Sequence, residues 1–259
     1  MILKTFKSDN LDIKVFDTRN DMGKAAAADV AACIKETLGR KKEIRMVFAA
    51  APSQNEFLEA LAATEGIEWG RVHALHMDEY VNLPADAPQG FGNFLRRAIF
   101  DKVPFASVDY IGTDKDSEAT CRRYSEILRS KAIDIVCMGI GENGHIAFND
   151  PHVADFNDPL LIKKVDLDQK CRMQQVHDGC FKDISEVPEY ALTLTVPAMF
   201  NADHLFCVVP AASKAEAVKG AVFGPVSEKC PASILRRHKS AILYTDKDSA
   251  KYIMDWHDA

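Results

Sequence analysis

Two short stretches of this chain contain side chains that transfer protons. HMDEYVNLP, residues 76–84, places Asp78 beside Glu79. GIGENGHIAFNDP, residues 139–151, places His145 five positions before Asp150. Carboxylates and imidazoles are common general bases and acids in enzymes that work near neutral pH. The two stretches therefore indicate acid–base chemistry, provided that the fold brings them together.

The second stretch also begins with G-x-G-x-x-G, which is typical of loops that bind the pyrophosphate of a dinucleotide. That function needs a helix starting at Gly144, because the free amides of a helix start bind the phosphates. Pro151 follows only seven residues later, and FNDP is typical of a turn. We expect no helix and no dinucleotide here, and we expect Gly144 to let a ligand approach the backbone. His145 then faces a cleft; the alternative is that it only satisfies a buried hydrogen bond.

Asp78 and Glu79 follow an apolar run, Val72–His76, that is predicted to be a buried strand. Burying two adjacent carboxylates at the end of such a strand costs free energy, unless they have charged or hydrogen-bonding partners or serve a function. Successive side chains of an extended segment point to opposite sides, so only one of the two can face a cleft. That one is a candidate general base; a helix N-cap or a solvated loop acid is the alternative interpretation.

Two further strand ends lead into predicted helices that could bind an anion. Ser213 and Lys214 open the helix after Leu205–Val209, where free amides, a hydroxyl and an ammonium group coincide. An ordinary capped helix with a surface lysine is the alternative. Ser53 opens the helix after Ile44–Ala49 in the same way, but the preceding AAP lacks the glycines of a phosphate-binding loop.

The elements that must position these groups alternate between short apolar runs and amphipathic segments. Runs such as IDIVCM and LFCVV suit strands that are buried on both faces of a parallel sheet. We predict strands at Leu11–Phe16, Ile44–Ala49, Val72–His76, Ile133–Met138, Leu160–Val165, Ala191–Val196, Leu205–Val209 and Ala241–Tyr244. We predict helices at Asn20–Gly39, Asn55–Ala63, Phe91–Phe100, Ser117–Ser130, Ser213–Val222 and Lys247–Trp256. This alternation predicts an α/β fold with a doubly wound, mostly parallel sheet, in which ligands bind where strands end.

The composition indicates a globular protein rather than a nucleic-acid or membrane protein. Hydrophobic residues make up 47% and charged residues 27% of the chain, which is ordinary for a globular protein. A length of 259 residues fits one large domain or two small ones, and we predict one domain spanning residues 1–259. A net charge of −6 argues against a nucleic-acid or anionic-membrane partner, and no window approaches the roughly 18 apolar residues of a membrane span. Seven cysteines without a C-x-x-C pair, and an N-terminus without a signal-peptide core, indicate the reducing cytoplasm.

Four segments together resemble the glucosamine-6-phosphate deaminase (isomerase) family, whose relatives include the 6-phosphogluconolactonases. They are MDEYVNLP, GIGENGHIAFNDP, VPEYALTLTVPAM and SKAEAV, which lie in this order between about Ile44 and Tyr244. The resemblance implies a Rossmann-like α/β sandwich and an enzyme that opens an aminosugar phosphate ring, moves a proton between C2 and C1, and releases ammonia. It implies no metal and no redox cofactor. It does not decide whether this chain forms a homo-oligomer, since the family includes monomers and hexamers.

The resemblance also implies roles for individual residues. Asp78 corresponds to the base for the C2–C1 proton transfer, and His145 to the residue that moves a proton to and from the ring oxygen. Asp150 takes the place of a family glutamate that supports this histidine. Lys214 corresponds to a phosphate-binding lysine, and Ser53 to a threonine of the first phosphate loop.

The surroundings of the histidine depart from the family pattern. The acid two residues before it is replaced by Asn143, so either Glu142 or Asp150 supplies the negative charge beside His145, or ring opening is slowed. Asp150 is also one methylene shorter than the family glutamate. That difference displaces the carboxylate by about 1 Å unless the backbone shifts, and such a displacement can cost about 100-fold in rate.

The phosphate site departs further. Its first loop has lost its glycines to Ala50, Ala51 and Pro52, and the family arginine aligns with Asp178. Arg172 or Gln175 would have to substitute for that arginine. We therefore expect the substrate to be glucosamine 6-phosphate or a close relative such as galactosamine 6-phosphate, with a different tail or an unphosphorylated sugar as the alternatives.

Two other functions compete with the deaminase. A lactone hydrolase resembling the phosphogluconolactonases would use His145 to activate water and would need no base at Asp78. A sugar-phosphate sensor that binds without turnover would need neither group. The presence of both favours the enzyme that moves a proton between carbons.

Overall fold

The computed structural model describes residues 1–113 and 116–255. The strands found there are β1 (Ile2–Ser8), β2 (Leu11–Phe16), β3 (Ile44–Phe48), β4 (Val72–His76), β5 (Asp78–Tyr80), β6 (Ser107–Asp109), β7 (Ile135–Met138), β8 (Ile162–Asp166), β9 (Tyr190–Leu194), β10 (His204–Val209) and β11 (Ala241–Asp246). The helices are α1 (Arg19–Leu38), α2 (Asn55–Ala62), α3 (Phe91–Leu95), α4 (Ser117–Ser130), α5 (Gln169–His177), α6 (Val196–Phe200) and α7 (Ala215–Phe223).

Eight of the strands form one sheet in the spatial order β1-β2-β11-β10-β7-β3-β4-β6. The strands from β2 to β6 in this order are parallel, and only β1 runs antiparallel to its neighbour. The predicted α/β fold with a mostly parallel sheet is therefore confirmed.

Successive residues of the inner strands enter two different hydrophobic clusters. In β7, for example, Val136 and Met138 pack with α4 and α7 on one face, whereas Ile135 and Cys137 pack with α1 and α2 on the other. Apolar side chains at every position explain why β7 is uniformly buried. In β3 the exception is Arg45, which is buried because its guanidinium donates to two backbone carbonyls of α4. The sheet is thus covered by helices on both faces, as the continuous apolar runs predict.

The order of the strands reverses between β3 and β7. After β3 the chain adds β4 and β6 on one side, and it then returns to place β7 on the other side of β3. Loops that leave the carboxyl ends of two such strands diverge and open a crevice between them. The crevice lies at the ends of β3 and β7, which are followed by Ser53 and by the histidine stretch.

A second, smaller sheet lies outside the parallel one. It has the order β5-β9-β8, and both of its pairings are antiparallel. The sequence predicts β8 and β9 as strands, but it does not separate them from the main sheet. The predicted strand Ala191–Val196 also ends early: α6 begins at Val196, because Thr195 caps it and Pro197 fits its first turn.

The prediction of a helix at Lys247–Trp256 is wrong over residues 247–255, which form hydrogen-bonded turns instead. The Asp246 carboxylate accepts the Ser249 N–H at 2.8 Å, and the Ser249 hydroxyl donates to the Val209 carbonyl at 2.6 Å. Such side-chain bonds compete with helical backbone bonds. Trp256 lies outside the described residues.

Within residues 1–113 and 116–255, no helix is both long and apolar enough to cross a membrane.

Candidate active site

A cleft opens at the crevice between β3 and β7, and both proton-transferring stretches reach it. It contains about 500 Å³ of empty space, including open solvent. Asp78 and His145 both line it. Its walls also include Ala49, Ala50, Ala51, Ser53, Gln54, Met77, Phe91, Gly139, Ile140, Gly141, Ala147, Phe148, Gln174 and Gln175. The fold therefore brings together a carboxylate and an imidazole that lie 67 positions apart in the sequence.

The two adjacent carboxylates of β5 have different surroundings, as the alternation of an extended segment requires. Asp78 faces the cleft. Glu79 points away and accepts the backbone N–H groups of Tyr80, Phe91 and Gly92 at 2.9–3.0 Å, which fixes β5 to the start of α3. Burial, with the neighbouring Glu79 charge, raises the pKa of Asp78 well above its usual range. A raised pKa means that the ionised form of Asp78 binds a proton more tightly than an ordinary carboxylate does, which makes it a stronger base.

A buried histidine holds the backbone of Asp78. The Ile111 N–H donates to Nε2 of His76 at 3.0 Å, so Nδ1 carries the proton and donates to the Asp78 carbonyl at 2.9 Å. Burial lowers the pKa of His76 to about 4, and the ring stays neutral. His76 thus positions the candidate base from outside the cleft.

His145 is oriented through its Nδ1 atom. Nδ1 lies 2.7 Å from Oδ1 of Asn143 and 3.0 Å from Oδ1 of Asp150. The Asp150 carboxylate is completely buried and also accepts from Asn143 at 2.8 Å. Burial opposes the ionisation of Asp150, but the hydrogen bonds from His145 and Asn143 outweigh it and lower its pKa. The shorter acid therefore reaches the histidine, and Asp150 rather than Glu142 supplies the charge beside it.

A threonine joins the histidine loop to the strand of Asp78. Thr193 of β9 is the register partner of Asp78 in the small sheet. Its hydroxyl accepts the N–H of Phe148 at 3.0 Å, and Asn149 donates to the Leu194 carbonyl at 2.8 Å. The stretch GIGENGHIAFNDP thus docks on the small sheet and starts no helix, which excludes the dinucleotide geometry.

Comparisons with known proteins identify the family of this chain. The family model described as glucosamine-6-phosphate isomerases/6-phosphogluconolactonase matches residues 17–244. The chain belongs to this family. Proteins named glucosamine-6-phosphate deaminase from Bacillus cereus and Bacillus anthracis are each 36% identical over 185 residues, which cover 71% of this chain and 68% of theirs.

Solved structures of the glucosamine-6-phosphate isomerase/6-phosphogluconolactonase family superpose well. A monomeric glucosamine-6-phosphate deaminase matches with a TM-score of 0.83 and 27% identity, covering 92% of this chain and 98% of the other. A 6-phosphogluconolactonase from Thermotoga maritima matches with a TM-score of 0.75 and 20% identity, covering 92% and 100%. The second likeness shows the fold alone.

The residues that the sequence predicts to bind an anion have different surroundings in the structure. Ser53 lines the cleft, but neither Ser53 nor Ser213 caps a helix, because both lie in 3₁₀ turns that precede α2 and α7. Lys214 is not among the lining residues, yet its Nζ is buried without a hydrogen-bond partner among the described residues. Burial lowers the pKa of Lys214, although Asp178 and Glu142 nearby favour its charged form. A buried ammonium group without a partner is suited to an incoming anion.

Three other predicted site residues lie apart from the cleft wall. The Arg172 guanidinium donates to the carbonyls of Ile184 and Val187 at 2.8 Å, so it anchors a 3₁₀ turn instead of facing the cleft. The Glu142 carboxylate lies 3.6 Å from Nδ1 of His177. Gly144 adopts a φ of +86° and packs against Cys230, where a Cβ would come within 2.8 Å of the sulfur. The glycine is therefore needed for the turn itself.

Ligand atoms of His145, Asp150 and Cys171 lie within 4.8 Å of one another, a grouping that could hold a metal ion. The hydrogen bonds already described engage the Asp150 carboxylate and His145 Nδ1. Burial raises the pKa of Cys171 well above its usual range, which keeps it a thiol, whereas metals bind the thiolate. The donor set suits proton transfer better than metal binding.

Proposed function

We propose that this chain, acting as one cytoplasmic domain, converts glucosamine 6-phosphate or a close relative to a ketose phosphate and ammonia. The observation that carries the proposal is that Asp78 and His145 line one cleft. Membership of the glucosamine-6-phosphate isomerase/6-phosphogluconolactonase family supports it, as do relatives at 36% identity that are named glucosamine-6-phosphate deaminase. The buried carboxylate favours this reaction over lactone hydrolysis, which needs no base at that position.

In the proposed mechanism His145 acts first. Its Nδ1 is held by Asn143 and Asp150, so Nε2 exchanges a proton with the sugar. The ring oxygen gains a proton, the C1 hydroxyl loses one, and the C1–O5 bond breaks to give the open aldehyde. A histidine suits this step because it both gives and takes a proton near neutral pH.

Asp78 then moves a proton between two carbons. The ionised carboxylate removes the C2 proton, and O1 gains a proton that the ammonium group loses, which gives an enolamine. The carboxyl group then returns the C2 proton to C1. The resulting C2 imine takes up one water and releases ammonia, which leaves the ketose phosphate. Each positioned proton transfer of this kind contributes about 10²–10⁴-fold to the rate.

Lys214 and Ser53 are the proposed contacts of the phosphate. They follow β10 and β3, strands that both neighbour β7, so they approach the cleft from either side of the histidine loop. A phosphate at Lys214 supplies the partner that its buried Nζ lacks among the described residues. Phosphate binding far from the reacting carbons then holds the sugar in place for chemistry.

The proposal is tested by assaying ammonia and ketose phosphate from glucosamine 6-phosphate and galactosamine 6-phosphate. Lys214→Met is expected to raise KM about 10- to 100-fold, the cost of losing a hydrogen bond to a charged group. Lys219→Met on α7 is the control, since Lys219 packs over the Tyr252 ring and should leave KM unchanged. Release of no ammonia from either sugar phosphate, together with hydrolysis of 6-phosphogluconolactone, contradicts the proposal.

A substitution in the glycine motif tests why the motif is present. A Cβ on Gly141 would lie 2.1–2.4 Å from three atoms of the His145 ring. Gly141→Ala is therefore expected to displace the imidazole by about 1 Å and to lower kcat about 100-fold. Gly70→Ala is the matched control, because a Cβ there meets no atom within 4 Å. Normal turnover by Gly141→Ala would show that the ring position is not critical.

A further inference from the structure

The amide of Asn143 lies between two carboxylates. Its Nδ2 atom is 2.8 Å from Oδ1 of Asp150 and 2.9 Å from Oδ2 of Asp168. Carboxylates only accept hydrogen bonds, and an amide nitrogen has two hydrogens to donate. Both hydrogens of Asn143 are therefore used, one for each acid.

This arrangement fixes which way the Asn143 amide faces. Its oxygen must point to the opposite side, where it accepts from the N–H of His145 at 3.1 Å and lies 2.7 Å from Nδ1. An oxygen at that distance requires the proton to be on Nδ1. The neutral imidazole then keeps Nε2 free as a proton acceptor.

Asp168 also serves the start of α5. Its Oδ1 accepts the N–H of Cys171 at 2.6 Å as a helix N-cap, while its own N–H donates to Oδ2 of Asp150 at 3.2 Å. One oxygen thus caps a helix and the other faces Asn143. No sequence pattern signals the second contact, because 25 residues separate Asp168 from Asn143.

We propose that Asp168 is a positioning residue that sets the tautomer of His145 through the amide of Asn143. A carboxylate in the position of Asn143 would need no such partner, because both of its oxygens accept hydrogen bonds. An amide can present either end, and Asp168 selects the end together with Asp150, because each carboxylate accepts one hydrogen of Nδ2. The effect on turnover rests on the proposed function, whereas the effect on the tautomer does not.

Asp168→Asn separates the two tasks of the side chain. Asparagine caps helices as well as aspartate does, so α5 should keep its start. Its amide nitrogen would instead meet Nδ2 of Asn143, donor against donor. We expect the kcat of ammonia release to fall about 10- to 100-fold with KM little changed, as for the loss of one hydrogen bond to a charged group.

Controls separate positioning from capping. Asp116→Asn alters the N-cap of α4, whose carboxylate accepts the Ala119 N–H, and it should leave kcat unchanged. Asp168→Ser keeps a capping hydroxyl but presents no donor to Asn143, so its loss of kcat should be smaller than that of Asp168→Asn. Equal activity in Asp168→Asn and wild type overturns the proposal.

A second readout does not depend on the reaction. The ¹⁵N shifts of the His145 imidazole, assigned by their loss in His145→Gln, report which ring nitrogen carries the proton. We expect Nδ1–H in wild type and a shift towards Nε2–H in Asp168→Asn. An unchanged tautomer overturns the proposal even if wild type releases no ammonia, an outcome that refutes only the proposed function.

The double variant Asn143→Asp/Asp168→Asn exchanges the donor and the acceptor. The new amide at position 168 can then donate to a carboxylate at position 143, which again accepts from His145. The kcat of the double variant should exceed the value expected if the two changes acted independently, since residues in direct contact couple. If the kcat of the double variant equals the value expected from two independent changes, Asp168 does not act through Asn143, and the proposal is overturned.

Discussion

Asp78→Asn is expected to abolish turnover and at the same time to stabilise the folded protein. An amide cannot take the C2 proton, so kcat should fall by about 10²–10⁴-fold or more, while substrate binding is retained. Burial and the Glu79 charge raise the pKa of Asp78 because they disfavour its anion. Removing that charge relieves the cost of holding it in the folded state.

The stabilisation of the folded protein by Asp78→Asn should increase with pH. The folded-state pKa of Asp78 lies above the unfolded value near 3.8, so the folded state binds this proton more tightly. The cost is absent below the unfolded pKa and grows as pH rises towards the folded pKa, by about 1.4 kcal/mol for each unit between the two. Thermal unfolding at pH 5 and pH 8 should therefore show a larger gain in Tm for Asp78→Asn at pH 8.

Glu79→Gln is the matched control, since it changes the adjacent acid, which is also buried. It should destabilise the protein by about 1–3 kcal/mol, because its amide cannot accept all three N–H groups, that of Tyr80 and those of Phe91 and Gly92 at the start of α3. It should leave proton transfer in place. If Asp78→Asn turns over normally, or if the two variants exchange these outcomes, the assignment of the base is wrong.

His145→Gln is expected to slow ring opening far more than the later steps. Glutamine cannot exchange a proton at the ring oxygen, so kcat with the closed sugar should fall about 10²–10⁴-fold. An analogue that cannot close, 5-O-methyl-glucosamine 6-phosphate as its free aldehyde, bypasses this step. With that substrate the loss should be at least about tenfold smaller.

His204→Gln controls for the loss of a histidine as such. His204 bonds Ser240 at the beginning of β10, at the opposite end of the sheet from the cleft, and its replacement should leave both rates unchanged. Equal losses of His145→Gln on the closed and the open substrate would contradict a role in ring opening.

The sequence predicts the central sheet well because burial on both faces leaves a strong signal. Every predicted strand of the main sheet appears close to its expected bounds, for example Ile133–Met138 as Ile135–Met138. The sequence misses β1, a mostly exposed edge strand, and also β5 and β6, which have three residues each and carry too little periodicity to be recognised. It misses the five-residue helix α6 as well, and α5, in which two of the three buried residues, Gln174 and Gln175, are polar. Pairing between β5, β9 and β8 is long-range, and no local pattern encodes it.

The sequence predicts those site residues that directly follow a recognisable strand. It does not predict contacts between side chains that are distant in the sequence. Asp78 and His145 follow β4 and β7, and the fold brings both to the cleft. Arg172 has the charge that a phosphate needs, but backbone carbonyls of a nearby turn engage it. Asp168 signals only a helix start, and its bond to Asn143 depends on how α5 docks.

The contact between Thr193 of β9 and the loop of His145 couples the position of the candidate base, Asp78, to that of the histidine. Asp78 pairs with Thr193 through the backbone, and the Thr193 hydroxyl holds the loop at Phe148. Opening of β9 should therefore loosen the strand of Asp78 and the loop of His145 at the same time, even though hydrogen bonds outside this contact also hold β5. We expect the two proposed proton transfers to weaken together when this contact loosens.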